Sequence, residues 1–316
     1  MTKGRCRLSR ARWYARGTVN TKEARVAFAH NGEVELYYET FGVAGDPALL
    51  LVNGLGSQCI NYRAEFCQQI ADRGYFVIRY DNRDVGHSTK FDHVRPDVGG
   101  VLRALAGGLA ASAPYLLSDM ASDAIAVLDH LVIDRAHVVG ASMGGMIAQT
   151  LAIEYPDRLA SLTSIMSTTG DRDVGQSTNV ALLALLAPPS SDRASYVSRQ
   201  LAGARAWGSP NCFDEARLVA AASEAYERSF SPAGLARQFM AIQASGSRTK
   251  ALGEVRVATL VVHGDADTLI DISGGRRTAA AIPNARFVEI KGMGHDYPPE
   301  YWDQLIGLLH EHARAT

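Results

Sequence analysis

A mainly parallel β-sheet covered by helices on both faces, with a block of helices inserted late in the chain, is the architecture this sequence predicts. Three observations lead there. The length of 316 residues suits one large α/β domain or a core plus an inserted subdomain. From about residue 25 onward, short apolar runs alternate with helix-like segments. Residues 170–250 break that rhythm: they carry helical patterning, no good strand, and breakers at Pro188-Pro189, Gly208-Ser209-Pro210 and Ser231-Pro232. The expected organisation is a basic, disordered tail over 1–24, a core over 25–169, a helical cap over 170–250 and the rest of the core over 251–316.

The elements follow in order. Arg25–His30 and Glu33–Thr40 read as antiparallel strands joined at Asn31-Gly32, a strong hairpin dipeptide. Ala48–Val52 is a buried apolar strand. Asn61–Arg73 reads as a helix closed by Gly74, and Phe76–Tyr80 as the next strand. Ser118 or Asp119 caps a helix running to about Leu131. Ala136–Val139 is a short buried strand, and Met143–Tyr155 a helix that stops before Pro156. Leu159–Met166 is a strand. Beyond the cap come strand Thr259–Val262, a helix near 272–281 stopped by Pro283, strand Arg286–Ile290 and a final helix from about Glu300. That gives eight strands.

Composition narrows the class. Apolar residues make up 47% and charged residues 21%, ordinary values for a folded globular chain. No run reaches 18 unbroken apolar residues, so a spanning helix is not expected. Two soft apolar runs, Ala104–Leu117 and Val180–Ala187, lack a cationic polar face; packing against the body is expected for both in preference to a membrane surface. The net charge of −1 hides an asymmetry: residues 1–25 hold eight Lys or Arg against Glu23 alone, and the remainder carries 24 basic and 32 acidic residues. An acidic body argues against nucleic acid as a partner. Four irregularly spaced cysteines (Cys6, Cys59, Cys67, Cys212) and no secretory h-region suit a reducing, cytoplasmic compartment.

The sharpest chemical signal is Gly140-Ala141-Ser142-Met143-Gly144-Gly145, between an apolar strand and a helix. A serine on such a turn has strained backbone angles, and glycines must let the chain pass. The turn presents the Ser142 Oγ above the sheet at the positive end of a helix. A hydroxyl is inert at neutral pH unless a base takes its proton. Of nine histidines, His295 stands apart, in a flexible Gly292-Met293-Gly294-His295-Asp296 turn past the last strand; His87 and His263 are weaker rivals. The base needs a carboxylate to hold its tautomer. His263-Gly264-Asp265-Ala266-Asp267 offers two at the same sheet edge. Asp267 is preferred, because Asp265 follows the turn glycine and more naturally braces it. The oxyanion formed on attack needs two N–H donors: Met143, and Leu55 in Asn53-Gly54-Leu55-Gly56, where glycines allow close backbone approach. Asn53 is placed to hydrogen-bond the loop that carries Leu55.

With these residues in hand, the chain resembles the serine hydrolases of the α/β-hydrolase superfamily over about residues 25–312, the cap excepted. Arg79-Tyr80-Asp81-Asn82-Arg83-Asp84-Val85-Gly86-His87-Ser88 and Glu154-Tyr155-Pro156-Asp157-Arg158 extend the likeness. Lipase/esterase-like proteins and anthracycline methyl esterases carry a similar R-Y-D-x-R-D-x-G-x-S and G-A-S-M-G-G. One departure is Asn53-Gly54, where the family commonly has His-Gly. The resemblance implies hydrolysis of a carboxylic ester, thioester or lipid ester through an acyl-enzyme, with an apolar small-molecule substrate and no cofactor or metal. Two alternatives stay open: the same triad used for C–C hydrolysis or cofactor-free perhydrolysis, and a non-catalytic ligand receptor. No P-loop and no zinc-binding motif occurs.

Overall fold

The computed structural model describes residues 25–95, 97, 99, 100 and 112–316. The basic segment 1–24, and most of the apolar run 104–117, lie outside the described residues.

Eight strands form one sheet: β1 Arg25–Asn31, β2 Val34–Phe41, β3 Ala48–Val52, β4 Phe76–Tyr80, β5 Ala136–Ala141, β6 Leu159–Ile165, β7 Thr259–Gly264 and β8 Arg286–Ile290. Their order is β1-β2-β4-β3-β5-β6-β7-β8. β1 pairs antiparallel with β2 and β2 with β4; every other pairing is parallel. The helices are α1 Ala64–Ala71, α2 Leu117–His130, α3 Met143–Glu154, α4 Asn179–Leu185, α5 Arg193–Trp207, α6 Glu215–Arg228, α7 Pro232–Ser245, α8 Thr249–Leu252, α9 Ser273–Ala281 and α10 Trp302–Arg314.

Continuous apolar strands bury both sheet faces. In β3, Leu49 and Leu51 face α1 and α10, through Phe66, Ile70, Leu305 and Leu309. Leu50 and Val52 face α2 and α3, through Met120, Leu128, Ile147 and Leu151. The chain steps from β3 out to β4, then doubles back across β3 to β5 and on to β8. The loops leaving β3 and β5 therefore diverge toward helices on opposite faces. Their C-terminal ends form the crevice where open α/β sheets bind ligands.

Four details differ from the expected elements. The hairpin register pairs Asn31 with Val34, so Gly32-Glu33 form the turn. Asn31 stays in the ladder, its amide donating to Ser122 Oγ at 3.1 Å and Asp123 Oδ1 at 2.9 Å. The helix expected over 61–73 splits into a 3₁₀ turn at Cys59–Asn61 and α1. Asp81 takes the Cys59 N–H at 2.6 Å and holds that turn apart. Asp119 caps α2 from inside the first turn, accepting the Leu116 N–H at 2.7 Å. The expectation that Val180–Ala187 packs against the body is corrected for part of the run: Val180 and Leu183 are 67% and 73% exposed. In the short α4, Ala181 is buried and Leu182 and Leu185 are half-buried, while Val180 and Leu183 are left on the outside. No helix among the described residues is long and apolar enough to cross a membrane.

The insertion between β6 and β7 holds α4 to α8. Its deepest anchor is Arg237 of α7, which donates Nε to Asp84 Oδ2 at 2.9 Å and Nη2 to Asp84 Oδ1 at 2.6 Å. Both side chains are buried, and Tyr115 donates its hydroxyl to the same carboxylate. Arg228 of α6 pairs with Asp81 at 2.8 Å. The acids of the Arg79–Ser88 stretch thus serve as the floor on which the inserted helices dock.

Candidate active site

Ser142 links β5 to α3 with φ 56 and ψ −122, a strained conformation for a residue with a side chain. The turn is held by the Ser142 N–H donating to Ile165 O at 2.9 Å and by Ser167 Oγ donating to Ser142 O at 2.8 Å. Gly144 is needed for space: a Cβ there would lie 2.0 Å from Val52 O. Its absence seats the start of α3 against the end of β3.

The structure brings Ser142, His295 and Asp267 into one hydrogen-bonded chain. His295 Nε2 lies 2.9 Å from Ser142 Oγ, and His295 Nδ1 lies 2.7 Å from Asp267 Oδ2. A carboxylate can only accept, so the proton sits on Nδ1 and the Nε2 lone pair faces the serine hydroxyl. Asp267 Oδ1 accepts the N–H groups of Leu269 and Ile270, each at 2.9 Å. Burial alone would raise the Asp267 carboxyl; His295 and His263 beside it outweigh this and hold it well below the usual carboxylate range.

The rival residues sit elsewhere. Asp265 accepts the Gly292 N–H at 2.7 Å and pairs with Lys291 at 2.9 Å, bracing the loop after β8. His263 is buried behind Asp267, 3.3 Å from Oδ2, and donates Nε2–H to Ile270 O at 2.8 Å. The His87 ring lies edge-on against Tyr37.

Around Ser142, the loop after β3 comes close enough that a Cβ on Gly54 would lie 3.2 Å from Ser142 Cβ. Among the described residues, neither the Leu55 nor the Met143 N–H meets an acceptor. Asn53 is fully buried, yet its side-chain amide finds no partner among the described residues. The hydrogen bond expected from it to the Leu55 loop is not formed; the Asn53 carbonyl instead accepts Asn82 Nδ2 at 3.0 Å.

Sequence reasoning missed the groups that hold these loops from the side of the inserted helices. The His295 N–H donates to Trp207 O at 2.7 Å, and the Gly294 N–H to Ser209 Oγ at 2.9 Å. Ser209 in turn gives both its N–H and its hydroxyl to Asp296. Burial raises the Asp296 carboxyl, against the pull of those bonds. Thr268 donates to Ala206 O at 2.6 Å. The only hint in the sequence was the adjacency of Asp296 to His295. A cavity of about 210 Å³ opens beside Gly56 against the inserted helices, lined by Leu185, Tyr196, Phe230, Leu235 and Phe239 among others. The Trp207 ring packs instead on Gly203 of its own helix. No group of three or more His, Cys, Asp or Glu side chains among the described residues is arranged to hold a metal ion.

A doubly wound sheet with a serine on a strained strand-to-helix turn, facing a histidine and an acid from later loops, defines a class. The α/β hydrolase fold family matches residues 47–298, and the chain belongs to it as a hydrolase. Among curated proteins it is similar to the rhodomycin D methylesterases DauP of Streptomyces sp. (strain C5) and DnrP of Streptomyces peucetius. Each is 30% identical over 313 residues, spanning 90% of this chain and 96% or 97% of the relative. Among solved structures, the enol-lactonase from Burkholderia xenovorans LB400 superposes with a TM-score of 0.70 at 22% identity, over 91% of this chain and all of that one. That likeness bears on the fold alone.

Proposed function

We propose that this chain hydrolyses a small carboxylic ester through an acyl-enzyme on Ser142. The observation that carries the reading is the Ser142–His295–Asp267 hydrogen-bond chain at 2.9 and 2.7 Å. Ser142 Oγ attacks the acyl carbon while His295 Nε2 takes its proton. The carbonyl oxygen becomes an oxyanion, held by the unengaged N–H groups of Leu55 and Met143. Collapse expels the alcohol, which takes the proton from His295. Water then attacks the acyl carbon, again giving its proton to His295, and the acid leaves as Ser142 recovers its hydrogen. Asp267 keeps the proton on Nδ1 and stabilises the imidazolium. The path draws on three side chains, two backbone N–H groups and water.

The helices over 170–250 act as a cap that roofs Ser142, with 25–169 and 251–316 as the body beneath. The apolar cavity next to Gly56 supports a substrate with an apolar portion, and the methylesterase names of the relatives support an ester bond. The test is fluorophosphonate labelling followed by turnover of short and long p-nitrophenyl esters. The expected result is one adduct, on Ser142, absent in His295→Ala, together with ester turnover. An adduct on another serine contradicts the assignment, and labelling without ester turnover favours different chemistry at the same site.

A further inference from the structure

The oxyanion loop is held by a residue of the cap. Gln238, in α7, is fully buried. Its Oε1 accepts the Gly56 N–H at 2.8 Å, and its Nε2 donates to Arg83 O at 2.7 Å. These two bonds fix the orientation of the amide. Flipped, it would set Oε1 against the Arg83 carbonyl and N–H₂ against the Gly56 N–H, losing both bonds in a buried site.

The consequence for Leu55 follows from peptide planarity. In a trans peptide the C=O and the N–H point in opposite directions. The Ser57 N–H donates to Gly54 O at 3.2 Å, closing a four-residue turn. That bond draws the Gly54 carbonyl into the turn, so the Leu55 N–H of the same plane points out of it. The next plane carries the Leu55 carbonyl and the Gly56 N–H, and that N–H is the one Gln238 takes. Gly56 has φ +66, the left-handed region, which a glycine can leave at little steric cost. Without a bond on its N–H, the plane between Leu55 and Gly56 is free to rotate; the Gly54–Ser57 turn then loosens, and the preceding plane, which carries the Leu55 N–H, loses its fixed direction.

The rest of α7 makes Gln238 a fixed point. Arg237 locks the helix to Asp84 through two hydrogen bonds. Gly234 lies so close to Asp84 O that a Cβ would come within 2.1 Å of it, and Leu235 covers Gly56, where a Cβ would lie 2.8 Å from Leu235 Cδ1. We infer that Gln238 is a positioning residue for the oxyanion hole: through the Gly56 N–H it keeps the Leu55 N–H aimed at the oxygen of the acyl group on Ser142. The inference rests on the proposed ester hydrolysis, and it deepens that reading by making a cap residue part of the transition-state machinery.

The test compares Gln238→Met and Gln238→Glu with the wild-type chain. Methionine keeps the length and removes both bonds; glutamate keeps an acceptor for the Gly56 N–H. An alkyl boronic acid serves as probe, because its adduct with the serine places a charged oxygen where the oxyanion forms. Loss of a whole oxyanion donor costs on the order of 10²–10³ in kcat, so misaiming one is expected to cost about 10- to 100-fold. The Met variant should lose that factor in kcat and in boronate affinity alike, with KM for p-nitrophenyl acetate nearly unchanged. The Glu variant keeps the Gly56 acceptor but sets an oxygen against the Arg83 carbonyl, so it should recover part of the loss in kcat and boronate affinity while its Tm falls. A role in packing alone would lower Tm in both variants and leave boronate affinity where it was. Equal losses in Met and Glu, or a folded Met variant within twofold of wild type, overturn the inference while ester turnover stands. A wild-type chain that binds no boronate overturns the parent reading and this inference with it. Should neither variant fold, amide exchange of the wild-type chain decides: Gly56 N–H protected supports the bond, and exchange at the free-peptide rate overturns it.

Discussion

The sheet and the inserted helices are held in place by different physics. β3 reads Ala-Leu-Leu-Leu-Val and is buried on both faces, and the helices beside it bring Leu, Ile, Phe and Met. Such contacts are non-directional and add up with area. The insertion sends only a few apolar side chains such as Ala241 and Leu252 into that core, and adds directional polar joints to them. These are Arg237 on Asp84, Arg228 on Asp81, Gln238 on Gly56, Ser209 on Asp296 and the Trp207 carbonyl on the His295 N–H. Every one of them ends on a loop at the C-terminal edge of the sheet. Damage to the sheet core should therefore show as lost stability, and damage to a joint as altered geometry of the site.

The largest expected effect lies at the centre of the body's edge. Ser142→Ala should lower kcat by roughly 10⁶-fold, and Ser142→Ala/His295→Ala should be little worse, since residues of one relay are not additive. Steady-state ester turnover checks this. A clearly additive double variant would separate the two residues. Next, Asp267→Asn should cut kcat by up to about 10⁴-fold with the fold intact, because the histidine loses its oriented tautomer. Asp265→Asn should leave kcat within a few fold and lower Tm. The opposite ranking would move the orienting role to Asp265.

Arg237→Met leaves the Asp84 carboxylate buried and without its cation, and removing one partner of such a pair costs about 3–5 kcal/mol. Leu50→Ala should cost a similar ~2–5 kcal/mol through its cavity. Denaturant titration measures both. The distinction lies in the folded protein, where Arg237→Met should also lower kcat and Leu50→Ala should not. Phe239→Ala, which enlarges the cavity, should change the ratio of kcat/KM between short and long acyl esters by about 1–3 kcal/mol. Trp207→Ala should leave that ratio flat, because its ring packs on Gly203.

The smallest effect concerns the base of the insertion. Asp171 leaves β6 and is bound by Ser247, Thr249 and Arg277, and those hydrogen bonds, Ser247 first, bring its carboxyl down to about 2. A carboxyl lowered in the folded state contributes stability that is full above its unfolded value and fades as pH falls through the folded one. The Tm gap between wild type and Asp171→Asn should therefore be steady above about pH 4, the ordinary carboxylate value. It should close between there and about pH 2. A gap that persists at the acid end would assign it to shape and not to charge.

Much of the body was legible in the sequence because apolar runs of five residues, turn glycines and alternating helices are local signals. Ser142, His295 and Asp267 could be nominated because each follows a strand and lies near glycine. Gln238 could not be. Its partner Gly56 is 182 positions away, and a glutamine on a helix carries no mark of being buried. Ser209 and Trp207 escaped for the same reason, the latter acting through its carbonyl. Val180 and Leu183 show that apolar character in a short helix does not fix burial: α4 buries Ala181, half-buries Leu182 and Leu185, and leaves these two outside. At the Asn31-Gly32 turn, the shift by one residue came from Asn31 reaching Asp123, a contact that no dipeptide rule contains.

The central claim is that ester cleavage at this site passes through a covalent acyl group on Ser142. Rapid acid quench during turnover of p-nitrophenyl acetate, followed by peptide mapping by mass spectrometry, tests it directly. The account predicts a burst of p-nitrophenol of about one equivalent per chain, and one acetyl group on the peptide containing Ser142. In His295→Ala both should be absent. Ester turnover with no acetylated peptide, or with the acetyl group on a different residue, would contradict it.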